Sequence, residues 1–209
     1  TNPTVTYVYS DTYSLTHPLQ ITTTEVFSNA AGALISQPTI RFYDGLGRLI
    51  QENKGTTNSS EMLVTNITYN AQGLQEYVYV PYSTTFSSGY VTPDTSKPKT
   101  QYTYDALGRV ITVTQTDQGR ISTGYDATGL VRAVVDEKGH QKLYKSDPFG
   151  RLVEVQECTG TYAAPNLSNP TIYATTLYGY TVLDALRRVT DTLGNTTVIT
   201  YNAIGQKIA

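Results

Sequence analysis

Short runs of β-branched and aromatic residues, interleaved with polar ones, fill most of the chain. The run from Arg151 to Gln156 places charged and apolar residues on both faces of a strand, so neither face resembles an apolar core. Tyr occurs 18 times, Trp is absent, and Thr, Val and Ile are frequent, a composition that suits pleated, half-buried strands. The pattern predicts an all-β fold whose strands of about six or seven residues each span roughly 20 Å.

A six-residue motif separates these runs and recurs along the chain. The letters YDALGR at residues 104–109 are nearly repeated as YDGLGR at residues 43–48. Three copies begin at residues 104, 125 and 146, so each starts 21 residues after the last. Degenerate copies lie at residues 28–32, 69–73, 183–187 and 201–205, and weaker turns lie at 117–119, 136–139 and 191–194. The chain is therefore predicted to be a row of β-hairpins.

The letters of the motif are those of a hairpin turn. Asp or Asn at the second position accepts hydrogen bonds from amides two or three residues on. Gly at the fifth position tolerates the positive φ that is needed after a type I turn. Tyr before the turn and Arg after it are predicted to face each other as a stacked cross-strand pair. The predicted turn residues are Tyr43, Asp44, Gly47, Arg48, Tyr69, Asn70, Gly73, Tyr104, Asp105, Gly108, Arg109, Tyr125, Asp126, Gly129, Asp147, Gly150, Arg151, Asp184, Tyr201, Asn202 and Gly205.

Two departures from the regular pattern carry further expectations. Because Arg187 stands where other copies have Gly, we expect an irregular turn at residues 183–188. Residues 81–99 and 157–171 are rich in Pro, Ser, Thr and Asn, and they are predicted to be loops inserted at hairpin ends. Residues 1–209 are otherwise predicted to form a single domain. The chain lacks an initiating Met and begins and ends in strand-like sequence, so we expect it to be part of a longer protein.

With this spacing, the motif resembles the YD-repeat family, also called Rhs repeats. That family includes shells of bacterial polymorphic toxins, B and C components of insecticidal toxin complexes, and the teneurins of animals. The resemblance implies consecutive antiparallel β-hairpins in one curved, spiralling sheet, of which 209 residues would form an open arc. In the toxin members, such a shell encloses a C-terminal toxin polypeptide. The resemblance also implies a bacterial parent protein that is secreted or displayed at the cell surface.

Composition argues against several classes of partner and cofactor. Charged residues make up 15% of the chain and the net charge is −2, which leaves no cationic surplus for nucleic acid. Cys158 is the single cysteine, so no internal disulfide and no cysteine-based zinc site can form. No apolar run approaches the roughly 18–20 residues of a membrane-spanning helix, and no Gly-rich phosphate loop occurs. We expect no cofactor, no nucleic-acid partner and no membrane-spanning segment.

Candidate catalytic and metal-binding residues are few. His17 and His140 are the only histidines, and neither accompanies a nucleophile-elbow or zinc-protease motif. The letters DPFG at residues 147–150 resemble the DPxGL motif at which some toxin shells cleave themselves, but Arg151 stands where that motif has Leu. We interpret Asp147 as an ordinary turn residue. A calcium ladder along the turn aspartates is disfavoured, because each carboxylate is already occupied by its own turn amides. The chain is predicted not to be an enzyme.

Two functions remain open at this point. In the first, the chain is a non-catalytic structural segment of a YD-repeat β-shell that encapsulates or scaffolds a C-terminal effector polypeptide of the same parent chain. In the second, its tyrosine-rich strands and inserted loops bind a carbohydrate or a partner protein, because tyrosine presents a flat apolar ring with a polar tip. Unpaired edge strands also predict some self-association.

Overall fold

The structure is a computed structural model that describes residues 5–10, 19–28 and 34–208. His17 and most of the predicted turn at residues 28–32 lie outside these residues. The described residues form sixteen β-strands and no helix, so the all-β prediction is confirmed. The strands are β1 (Val5–Ser10), β2 (Leu19–Ser28), β3 (Leu34–Tyr43), β4 (Leu49–Gly55), β5 (Glu61–Tyr69), β6 (Gln75–Tyr79), β7 (Tyr82–Thr85), β8 (Lys99–Tyr104), β9 (Val110–Thr114), β10 (Arg120–Tyr125), β11 (Val131–Val135), β12 (Gln141–Ser146), β13 (Leu152–Cys158), β14 (Ile172–Tyr180), β15 (Leu186–Thr190) and β16 (Thr196–Val198).

The first of two compact units comprises Thr1–Tyr102. Its strands are hydrogen-bonded in the order β1-β2-β3-β4-β5-β6-β8, and β7 pairs with β5. Every one of these pairings is antiparallel. Apart from β7, strands that are neighbours in the sheet are also neighbours in the chain, which is the arrangement of consecutive hairpins.

The second unit comprises Thr103–Ala209. Its strands follow the order β9 to β16, and each is antiparallel to the next. Consecutive antiparallel pairing, which the repeat predicts, is therefore confirmed within each unit. The assignment of residues 1–209 to a single domain stays a prediction.

One face of the first unit carries a small apolar core, contrary to the expectation that neither face would. Ile40 and Phe42 on β3 and Met62 and Val64 on β5 are buried, and in each pair the two residues are two positions apart, so they share a face. The inserted residues 81–99 lie across this face, where the Tyr90 ring meets the Phe42 ring edge-on with centroids 5.8 Å apart. The core therefore forms between the sheet and its own inserted loop.

The second unit repeats this arrangement with different residues. Its core comprises Ala133, Leu143 and Cys158, with Val131, Tyr162 and Leu167 packed against them. Tyr162 and Leu167 belong to the inserted residues 157–171. Pro165 of the same loop lies so close to Gly124 that a Cβ on Gly124 would be 2.9 Å from the Pro165 Cβ. Glycine at position 124 is thus what lets the loop approach the sheet.

Candidate functional site

Ten turns in the described part of the chain share one backbone geometry. The first residue of each turn donates its N–H to the carbonyl four residues on, or five in one case, and its own carbonyl accepts the N–H of the residue three positions on. That fourth residue has a φ between 62° and 85°. The first residues of the ten turns are Asp44, Asn70, Asp105, Gln115, Asp126, Asp136, Asp147, Thr181, Asp191 and Asn202.

The aspartate side chain closes the turn. Asp105 Oδ1 accepts the amides of Leu107 and Arg109, both at 2.9 Å, and its Oδ2 accepts Arg109 Nε at 2.7 Å. The Arg109 amide is the largest cause that holds the pKa of Asp105 below its ordinary value, and the Arg109 side chain lowers the pKa further. The same contacts join Asp44 to Arg48 and Asp147 to Arg151. Each carboxylate therefore stays ionised as a hydrogen-bond acceptor within its own turn.

Tyrosine and arginine of the motif do stack, but between neighbouring hairpins rather than across one. Tyr43 faces Leu49 across its own hairpin, whereas the Arg48 guanidinium lies 4.3 Å from the ring centroid of Tyr69 in the next copy. Arg109 lies over Tyr125 at 4.1 Å in the same way. The predicted cross-strand pair is therefore wrong. The reason is that the turn aspartate binds the arginine side chain and holds it at the end of the hairpin, beside the strand of the next one.

The tyrosine hydroxyls continue this link. Tyr69 Oη donates to the Leu49 carbonyl at 2.9 Å, and Tyr180 Oη donates to the Leu152 carbonyl at 2.7 Å. Tyr201 does the same with Leu186 at 2.7 Å. Each of these tyrosines lies directly before one turn and bonds to the first residue of the strand that follows the previous turn at the same end of the sheet. Tyr104 ends β8 directly before the Asp105 turn.

The turn near Asp184 corrects the alignment of that repeat. Thr181, not Asp184, is its first residue, because the Thr181 Oγ1 accepts the amides of Leu183 at 3.2 Å and Ala185 at 3.1 Å. Asp184 occupies the glycine position with φ 62°. The turn is therefore regular and lies three residues earlier than the sequence indicated, and Arg187 belongs to β15. The signal that was missed is a threonine that directly follows Tyr180, as Asp follows Tyr in the other copies.

The weaker turns prove equal in geometry to the main copies. In the turn that begins at Gln115, Gln118 takes the glycine position with φ 70°. In the turn that begins at Asp136, His140 Nδ1 lies 3.0 Å from Asp136 Oδ2, in the place that arginine takes in the turns at Asp44, Asp105 and Asp147. From β9 to β16, one such turn therefore joins every pair of consecutive strands except β13 and β14, although the turns that begin at Gln115, Asp136 and Asp191 depart from the motif.

One extra residue accompanies five of the main turns. After the turns at Asp44, Asn70, Asp147 and Thr181, a β-bulge shifts the register by one residue, so that Phe42, for example, pairs with Gln51. The hairpin at Asp126 has no bulge, but its turn is one residue longer, since the Asp126 amide bonds to the Val131 carbonyl. There Gly124 pairs with Ala133, again seven residues beyond the first turn residue. The two arrangements lead to the same register.

A buried glutamine clamps the inserted loop of the first unit. Gln51 is fully buried, and its Nε2 donates to the Val91 carbonyl at 2.5 Å while its Oε1 accepts the Val91 amide at 2.8 Å. Gln51 Nε2 also donates to Asn66 Oδ1 at 2.6 Å, and Asn66 Nδ2 donates to Tyr82 Oη at 2.9 Å. Buried amides are stable only when paired in this way.

The second unit uses the same device. Gln141 is 1% exposed; its Nε2 donates to the Asn166 carbonyl at 2.8 Å, and its Oε1 accepts the Asn166 amide at 2.6 Å. Each side-chain amide therefore pairs with the backbone of one loop residue as a strand would. No pattern in the sequence distinguishes these two glutamines from the exposed ones.

The candidate catalytic residues have structural contacts. Desolvation raises the pKa of Asp147, but hydrogen bonds from the Arg151 side chain and from the amides of Arg151 and Phe149 outweigh it and hold that pKa below its ordinary value. A general acid would need the opposite shift. Arg151 also binds Asp184 Oδ1 at 2.7 Å, so one guanidinium bridges the two carboxylates. Across the described residues, no group of three or more His, Cys, Asp or Glu side chains is placed to hold a metal ion.

The comparisons with known proteins agree with this geometry. A family model described as a domain of unknown function, DUF6443, matches residues 16–138. The chain belongs to the DUF6443 family. The described part of this DUF6443 chain contains no helix with the length and apolarity needed to cross a bilayer. No curated protein matches its sequence.

Solved structures of Tc toxin components share the fold of this DUF6443 chain. A crystal structure of TcdB2-TccC3-Cdc42 and one of TcdB2-TccC3 without its hypervariable C-terminal region each match with a TM-score of 0.67 at 16% identity. The Photorhabdus luminescens Tc holotoxin pore matches with a TM-score of 0.63. Each match covers 92% of this chain and 12% of the other. The resemblance to the YD-repeat (Rhs) family is thereby confirmed, and this chain spans about 12% of the length of those proteins.

Proposed function

We propose that this chain is a non-catalytic structural segment of a YD-repeat β-shell that encapsulates or scaffolds a C-terminal effector polypeptide of the same parent chain. The observation that carries the proposal is the match of 92% of the chain to TcdB2-TccC3, together with the hairpin order seen in each unit. The parent is a bacterial protein that is secreted or displayed at the cell surface, by analogy with the Tc holotoxin.

The use of the charged side chains supports a structural function. The arginines at positions 48, 109 and 151 bind the aspartate of their own turn and stack on an aromatic ring of the next copy. These groups would have to leave their turns before they could bind a substrate. They hold hairpins in register, which is what a wall built from repeated units requires.

The same contacts disfavour a carbohydrate-binding module. A sugar stacks on an open tyrosine face, yet arginine covers the Tyr69 and Tyr125 rings and Arg132 lies 4.7 Å from the ring centroid of Tyr144. The inserted loops, which could have presented a binding surface, are clamped onto the sheet by Gln51 and Gln141. Binding of a glycan or of a partner protein by these elements is therefore the less favoured, alternative function. Tyrosine-dependent signals on a glycan array would favour it.

Protease protection tests the proposal on the complete parent protein. We expect trypsin to leave the polypeptide that follows the repeats intact while the repeats remain folded. The same polypeptide expressed alone, or mixed with the repeats after separate expression, should be digested rapidly. Digestion at equal rates in the parent protein and in the separate polypeptide would refute encapsulation.

A further inference from the structure

Large apolar side chains stand exposed at one position of the repeat turns. In the second unit, Leu107, Phe149, Leu183, Leu193 and Ile204 are each the third residue of a turn, and their exposed fractions lie between 76% and 87%. The turn does not require an apolar side chain at this position, as the exposed Lys138 shows, whose backbone amide alone bonds to its turn aspartate. Turn geometry therefore does not explain the apolar residues, and an exposed row of them indicates an interaction surface.

Strand order places most of these residues at one end of the sheet. The strands of the second unit alternate in direction, so the turns that begin at residues 105, 126, 147, 181 and 202 lie at one end and those at 115, 136 and 191 lie at the other. Successive turns at one end are two strands apart, which is roughly 10 Å. We name the row of Leu107, Phe149, Leu183 and Ile204 the apolar rim. Leu193 lies at the opposite end.

Charge at the apolar rim is largely neutralised in place. Arg109 and Arg151 each bind the aspartate of their own turn at 2.7 Å, and Arg151 also binds Asp184. Asp126 makes its contacts with Thr128 and the turn amides rather than with a cation. When two such rims face each other, little repulsion between like charges therefore arises, and salt screens the repulsion from the small excess of carboxylates.

We infer that the apolar rim is a contact surface for a second row of the same turns, supplied in solution by a second copy of this chain. A two-fold contact between identical rims is self-complementary, because both copies present the same row of apolar side chains. Each buried side chain removes roughly 100 Å² from water, so four of them bury roughly 400 Å² per copy. That is about half of the roughly 800 Å² per partner in a stable complex. The association is therefore weak and reversible, and it goes beyond the proposed shell function.

Analytical ultracentrifugation over a concentration series up to about 1 mM tests the inference. Wild-type protein should show reversible association that persists in high salt. The double variant Phe149→Ser with Leu183→Ser should be monomeric, because it removes two of the four side chains of the apolar rim. Both side chains are more than 80% exposed, so their loss leaves the fold intact. The matched control is Leu193→Ser, which has the same turn position and an exposure of 87% but lies at the other end of the strands.

Three outcomes would overturn the inference. The first is a wild-type protein that stays monomeric across the whole series. The second is association that survives in the double variant, which would place the contact at an edge strand instead. The third is a Leu193→Ser variant that loses association as fully as the double variant does. Circular dichroism of each variant verifies that folding is unchanged.

Discussion

Removal of the glutamine clamp in the second unit is the sharpest test of the fold described here. Gln141→Ala deletes both side-chain hydrogen bonds to Asn166 and leaves the Asn166 amide and carbonyl without those partners. Gln141 is 1% exposed, so water does not reach the site in the native state. The loop of residues 157–171 then loses its central attachment while its apolar contacts through Tyr162 and Leu167 remain.

The expected magnitude follows from these contacts. Each intramolecular hydrogen bond contributes about 0.5–1.5 kcal/mol net, and each group left unpaired in a buried place costs about 1–3 kcal/mol. The one buried methylene group that the substitution removes adds about 0.8 kcal/mol. Partial access of water to Asn166 after the change offsets some of this sum, so we expect Gln141→Ala to lower the free energy of unfolding by about 2–4 kcal/mol.

Urea denaturation measures the global loss, and hydrogen exchange at the Asn166 amide measures the local one. The Asn166 amide should be protected in the wild type and exchange much faster in the variant. Gln72→Ala is the matched control, because the Gln72 side chain is exposed and its turn uses only the Gln72 backbone amide. If Gln141→Ala matches the wild type in both measurements, the clamp does not hold the loop and the reasoning is refuted.

Three further predictions concern the turns. Gly108→Val and Gly129→Val should each lower the free energy of unfolding by at least about 1 kcal/mol, because a β-branched residue is disfavoured at their φ values of 77° and 74°. Gln118→Gly should raise the free energy of unfolding by about 0.5–1 kcal/mol, because it relieves a positive φ of 70° at the cost of a freer unfolded chain. The turn aspartates, of which Asp105 and Asp136 are examples, have folded-state pKa values below their ordinary ones. Their stabilisation is therefore complete above the unfolded pKa of about 3.9 and is lost as the pH falls through the lower folded values, which urea midpoints at a series of acidic pH values will show.

Each of these predictions has a control. Gly89→Ala provides the glycine control, since a Cβ there meets nothing closer than Ser87 Oγ at 3.8 Å. Unchanged melting temperatures in both valine variants would reject the turn assignment, and a lower melting temperature for Gln118→Gly would reject the strain at that residue. Asp105→Asn should flatten the acid dependence. Urea midpoints that stay constant from about pH 5 to pH 2 would contradict the role of the carboxylates.

The turns were predictable because their chemistry is local. Asp or Asn followed three residues later by Gly is enough to form the turn, and the backbone hydrogen bonds at Asp44, Asp105 and Asp147 follow from that spacing alone. The hairpin order follows in turn, because short connections join antiparallel neighbours. The all-β architecture could therefore be predicted from residues that lie close together in the sequence.

The misplaced turn shows where local reasoning ends. Aspartate is the usual first residue of these turns, so the sequence alone assigns Asp184 to that position. Aspartate also tolerates positive φ, however, and threonine can accept the same amide hydrogen bonds. Both alternatives satisfy local chemistry, and the register of β14 with β15 decides between them. The partner of Arg48 was wrong for a similar reason, since it depends on the neighbouring hairpin rather than on its own.

The loop clamps could not be predicted at all. Gln51 and Gln141 lie in strands whose neighbours are a mixture of polar and apolar residues, and glutamine is ordinarily a surface residue. Their burial depends on loops that return to the sheet 25 or more positions along the chain, as Gln141 and Asn166 illustrate. Contacts of this kind leave no periodic pattern in the sequence.

The extra residue that accompanies five of the main turns has a consequence for how such chains can evolve. A net change of one position would invert the inside and outside of every later strand. Because the extra residue lies either in the strand, as a bulge, or in the loop, as at Asp126, each of these hairpins leaves the orientation of the following strand unchanged. Hairpins are therefore interchangeable modules, and recombination can duplicate, delete or swap them without scrambling the part of the protein that follows.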